Sequence, residues 1–123
     1  MASAPRGLLK LIALQLLSES SLSGAELQDQ IGRSSAGVWK PGPGSIYFMI
    51  RGLRDEELIV ELPGGKGTTR RYVISNKGKA ELEKKKLDVS KEVKKQLDLL
   101  AYYSDLAGRQ GVGTSIRELA QKL

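Results

Sequence analysis

Two short stretches of this chain concentrate side chains that can hold an anion. Between Pro63 and Ser75 lie Lys66, Thr68, Thr69, Arg70 and Arg71, with glycines among them and no acidic residue. Lysine and arginine attract phosphate oxygens, and hydroxyls and glycine N–H groups can hydrogen-bond to them. Upstream, KPGPGSIYFMIR carries Lys40, Ser45, Tyr47, Phe48 and Arg51. Ser45 and Tyr47 can reach a phosphate, Arg51 a phosphate or a guanine edge, and Phe48 a thymine methyl.

The means for catalysis are scarce by comparison. The chain has no Cys and no His, so it lacks thiolate nucleophiles, disulfides, the commonest general base and most transition-metal sites. The glycine-rich PGPGS and GGKGTT stretches do not form a nucleotide-binding loop. Lys66 is followed by Gly67 where Ser or Thr is required, and Val60 occupies the place of the leading glycine. The reading is a protein without enzymatic activity and without a cofactor.

A length of 123 residues suits one core with an appendage. Twenty Lys and Arg against fourteen Asp and Glu leave a net charge of +6, which favours a polyanionic partner. The longest apolar run, Leu8 to Leu17, is interrupted by Lys10 and Gln15 and is about half a membrane span. No small-residue cleavage site clearly follows it, so the expectation is a soluble, cytoplasmic protein with no membrane partner.

The elements that must position these residues are legible in turn. Gly42 as N-cap and Pro43 at the first helical position launch a helix from Pro43 to about Glu57. Ile46, Ile50 and Leu53 share its inner side, and Phe48, Arg51 and Asp55 lie opposite, with Arg54 flanking the buried stripe. A bland alternative for Arg51 is an ion pair with Asp55 one turn on. Before it, Ser23 and Glu26 have capping-box spacing, with Leu22 and Leu27 as a hydrophobic staple, and open a helix from Gly24 to about Arg33. Trp39, in the intervening loop, reads as a plug between helices. After it, Leu58–Leu62 and Arg70–Ser75 read as an antiparallel hairpin.

A first helix, about Pro5 to Ser18, is apolar on nearly every side and must be covered on two faces. Its Leu9, Ile12 and Leu16 are candidates for a subunit interface. From Asn76, a plausible N-cap, the composition turns to charge and helix formers. Val93, Leu97, Leu100 and Tyr103 belong to an amphipathic stripe with no core of its own left to cover, again pointing to a second subunit. Lys84, Lys85 and Lys86 read as a solvated face, and a bend or break is expected near Asp88. GRQGVG should end this helix, with Thr114 capping a short last one.

Three helices, a two-stranded wing and a trailing helix make a mostly α winged helix-turn-helix. WKPGPGSIYFMIRGLRDEELI resembles the hallmark segment of the PadR family of transcriptional regulators, with Gly44, Ser45, Ile46, Tyr47, Leu53, Glu56, Leu58 and Ile59 in the matching places. RRYVISNKGKAEL is similar to the family's second wing strand and following helix, with Tyr72, Ile74, Ser75, Gly78 and Leu82 in register. SGAEL resembles the opening of its second helix. The sequence departs from the family at Ala25, where an aromatic residue is usual, and at Phe48 and Met49, where proline or small residues are common.

The resemblance implies a homodimeric regulator of transcription, often a repressor, that binds double-stranded DNA. Its third helix would enter the major groove and its wing would reach the adjacent minor groove or phosphates. The implied division is a DNA-binding domain over residues 1–75 and a dimerisation region over residues 76–123. Some relatives bind aromatic effectors between subunits, and Trp39, Tyr102 and Tyr103 could line such a small-molecule site. A winged-helix protein-interaction module and a nonspecific chromatin-type DNA-binding protein are the alternatives.

Overall fold

The computed structural model describes residues 7–63 and 69–123. The chain divides into two compact units, Met1–Glu83 and Lys84–Leu123. The first contains α1 (Leu8–Glu19), β1 (Leu22–Ser23), α2 (Gly24–Ser34), α3 (Pro43–Asp55), β2 (Ile59–Glu61), β3 (Arg71–Ile74) and the start of α4 (Asn76–Leu106). The second contains the rest of α4 and α5 (Gln110–Ala120).

The core of the first unit gathers one stripe from each of three helices. Leu14 and Leu17 of α1, Leu27 and Ile31 of α2, and Ile46 and Leu53 of α3 are fully buried. Each such side chain contributes about 1.5–3 kcal/mol through removal of apolar surface from water. The rest of α1 is less well covered: Leu9, Ile12 and Leu16 are only half-buried.

Among the described residues the sheet has three strands where two were expected. Its order is β1-β3-β2, all antiparallel, with Leu22 opposite Tyr72 and Ile59 opposite Ile74. The extra strand follows from the cap of α2. An N-cap residue takes an extended backbone, and Ser23 has φ −78° and ψ 167°. Leu22 and Ser23 are thereby straight enough to pair with β3, and Leu22 is buried by the pairing. The capping box itself forms as the spacing predicts. Glu26 N–H donates to Ser23 Oγ at 3.2 Å, and Ser23 N–H donates to Glu26 Oε1 at 2.9 Å.

Two helix ends differ from expectation. α3 stops at Asp55, and Glu57 adopts φ +61° beyond it. Leu58 N–H bonds to Leu53 O and Glu57 N–H to Arg54 O, both at 2.9 Å, which is the closing pattern normally built around glycine. α4 is capped by Ser75 rather than Asn76. Ser75 Oγ accepts from Gly78 N–H at 2.9 Å and donates to Glu57 O at 2.7 Å, tying the exit of α3 to the start of α4. Gly78 is required there, because a methyl group on its Cα would lie 2.0 Å from Leu58 O.

The expected break near Asp88 is absent: α4 runs for 31 residues. No proline or glycine follows Gly78 until Gly108, so nothing interrupts the hydrogen-bond ladder. Gly108, at φ +77°, ends it. In the second unit α5 begins at Gln110 rather than at Thr114, whose hydroxyl bonds back to Gln110 O at 2.9 Å. Gly113 fits there because a methyl group on its Cα would lie 2.3 Å from Asp105 Oδ1 and 2.9 Å from Ala101 O. Arg117 fastens the pair with a forked bond to Asp105 at 2.9 and 3.3 Å. Val93, Leu100, Tyr102, Tyr103 and Leu106 remain exposed on α4, and Leu97 is half-buried.

Candidate nucleic-acid interface

α3 is held by Ile46, Ile50 and Leu53, all buried, which leaves Tyr47, Phe48, Arg51 and Arg54 on its outer surface. Phe48 is 78% exposed, an unusual state for a phenylalanine on a short helix. Tyr47 is held sideways. A methyl group on the Cα of Gly24 would approach its ring to 3.2 Å, so the glycine that starts α2 lets the ring lie alongside.

The structure sorts the expected contact residues into three places. Tyr47, Arg51, Thr69 and Arg70 converge on a cleft of about 480 Å³ between α3, the start of α2 and the base of the wing. Ser45 and Phe48 border a separate groove of about 380 Å³ with Leu9, Lys10 and Met49, where Lys10 pairs with Glu56. Lys40 lies in the loop before α3, on a third hollow beside α2. Lys66 and Thr68 fall outside the described residues.

Arg71 is directed elsewhere. Its guanidinium donates to Glu26 Oε1 at 2.7 Å, Ser21 O at 2.8 Å and Ser21 Oγ at 3.4 Å. It ties β3 to the first turn of α2 and to the residue just before β1. The Ser23 N–H and hydroxyl, and then Arg71, hold the Glu26 carboxyl below its ordinary value of 4.5.

Arg54 belongs to the cleft although sequence reasoning assigned it no contact. The signal was present: Tyr47, Arg51 and Arg54 recur at i, i+4 and i+7, one face of the helix. Glu61 was also missed. It pairs with two arginines that line the cleft, with Oε1 3.3 Å from Arg70 Nε and Oε2 3.8 Å from Arg54 Nη2. Among the described residues Arg51 makes no ion pair, so the alternative pairing with Asp55 does not form. Trp39 is half-buried, its backbone N–H donating to Ser35 Oγ at 3.0 Å, and is less enclosed than a plug would be.

Three packed helices, a small antiparallel sheet and an outward-facing third helix define a winged helix-turn-helix protein. The profile of the transcriptional regulator PadR-like family matches residues 13–84, more than half of the chain. The chain belongs to that family. No curated protein sequence matches it. Among solved structures, a transcriptional regulator from Clostridium thermocellum is 22% identical, covering 76% of this chain and 94% of its own, with a TM-score of 0.67. A PadR-like transcriptional regulator from Bacillus cereus is 26% identical, covering 77% and 93%, with a TM-score of 0.66. PadR of Bacillus subtilis, solved in complex with operator DNA, is 18% identical, covering 98% and 93%, with a TM-score of 0.55.

Proposed function

We propose that this chain is a sequence-specific DNA-binding repressor that acts as a homodimer on an inverted-repeat operator. α3 lies in the major groove, with Arg51 and Phe48 directed at base edges, and the wing follows the phosphates through Thr69, Arg70 and the neighbouring Lys66 and Thr68. The observation that carries this reading is the convergence of Arg51, Arg54, Arg70 and Tyr47 on one cleft, with Arg51 in no ion pair among the described residues. Membership of a family of transcriptional regulators and the operator complex of the Bacillus subtilis relative support it.

Dimerisation is proposed through the half-covered α1 face of Leu9, Ile12 and Leu16 and the α4 residues Val93, Leu97, Leu100 and Tyr103. Their exposed apolar surface is the physical motive. Among the described residues no helix is long and apolar enough to cross a membrane.

Salt-dependent binding tests the reading. Replacing Arg51 and Arg70 together by Ala should weaken duplex binding, and loss of the Arg70 phosphate contact should lower the slope of log K against log salt by about one. An unchanged slope would contradict the proposed interface.

A further inference from the structure

We infer that Glu61 is a specificity-determining residue, a built-in competitor that holds Arg54 and Arg70 until phosphates arrive in the correct register. The inference rests on the DNA-binding reading above. Glu61 ends β2, opposite Tyr72 of β3, and its side chain is 30% exposed. One carboxylate oxygen faces the guanidinium of Arg54 on α3, and the other faces that of Arg70 at the wing base. A single acid therefore bridges the two elements that form the cleft walls, while Arg51 beside them has no such partner among the described residues.

Stability does not explain this arrangement. Both pairs are loose and partly exposed, and such pairs contribute little to folding. Their effect on an approaching polyanion is larger. Glu61 neutralises part of the positive charge of the cleft and repels phosphates, so loose electrostatic binding to any duplex is weakened. It also keeps two flexible guanidiniums near the positions that the groove wall and the wing require. In a specific complex, contacts from the outer face of α3 offset the exchange of Glu61 for phosphate. In a nonspecific complex nothing offsets it. A repulsive element of this kind sharpens discrimination by acting against the wrong partner.

The test compares wild type, Glu61→Gln and Glu61→Asp on a random-sequence duplex and on a duplex enriched by the wild-type protein from a randomised pool. E61Q should bind the random duplex about fivefold more tightly and steepen its salt slope by about one, while its affinity for the enriched duplex changes less. The ratio of specific to nonspecific affinity should therefore fall. E61D retains the charge and should keep the wild-type slope. Equal random-duplex affinity and slope for E61Q and wild type, with both folded by circular dichroism, would overturn the inference and leave the DNA-binding reading intact. A parallel loss on both duplexes would mark Glu61 as merely structural and would equally overturn it. Wild-type protein that binds no duplex at low salt would overturn the reading beneath it as well.

Discussion

Arg70 and Arg71 are neighbours in sequence, yet their guanidiniums have different occupations. Arg70 reaches the cleft and Glu61, whereas Arg71 is engaged by Glu26 and Ser21. Alternation over the expected strand Arg70–Ser75 sends successive side chains to opposite faces, and the sequence could show that much. It could not show that Ser21 and Glu26 wait on one of those faces, because they come from a turn far away in the chain. Arg71→Ala should therefore lower stability by about 1 kcal/mol while leaving the salt slope of DNA binding nearly unchanged, as read by urea titration and anisotropy. Glu26 supplies a pH-dependent counterpart. Its carboxyl is lowered by the Ser23 N–H and hydroxyl and by Arg71, so its contribution is fully present above the ordinary 4.5 and is lost as pH falls through its lower folded value. The stability difference between wild type and Glu26→Gln should be measurable at about pH 7 and close below that window.

At the scale of elements, local signals were read well and long-range ones were not. The capping box of α2, the proline-led start of α3 and the buried stripe of Ile46, Ile50 and Leu53 depend on residues within one or two turns, and all form as their spacing dictates. The third strand was invisible because it is two residues long and exists only through pairing with β3. The exit of α3 was misplaced because Glu57 takes the left-handed position that glycine normally marks. Glu57→Gly should raise stability by about 1 kcal/mol in chemical denaturation, since it removes the side-chain penalty at positive φ and leaves the closing hydrogen bonds in place. Gly78→Ala should act oppositely. The added methyl group would meet Leu58 O, and separating α4 from that carbonyl should cost about 1–3 kcal/mol or more.

For the whole molecule, the sequence expectation of a DNA-binding half and a helical remainder placed the division after residue 75, while the compact units part between Glu83 and Lys84. α4 begins in the first unit because Ser75 and Gly78 lock its first turn against Leu58 and Glu57. Which outer residues gather into a cleft was only partly legible. Helical periodicity places Tyr47 and Arg51 on one face, but the wing that brings Thr69 and Arg70 to meet them is positioned by the sheet. The proposed dimer belongs to this scale too. Replacing Val93 and Leu100 by Asp should give a folded monomer by light scattering, with operator binding weakened through loss of the second half-site.

The most direct measurement is selection of bound sequences from a randomised duplex pool by the full-length protein at moderate salt. The proposed homodimer should enrich one symmetric motif whose half-sites are centred about 34 Å apart, one helical turn. Recovery of no motif, or of an unrepeated site without symmetry, would contradict it.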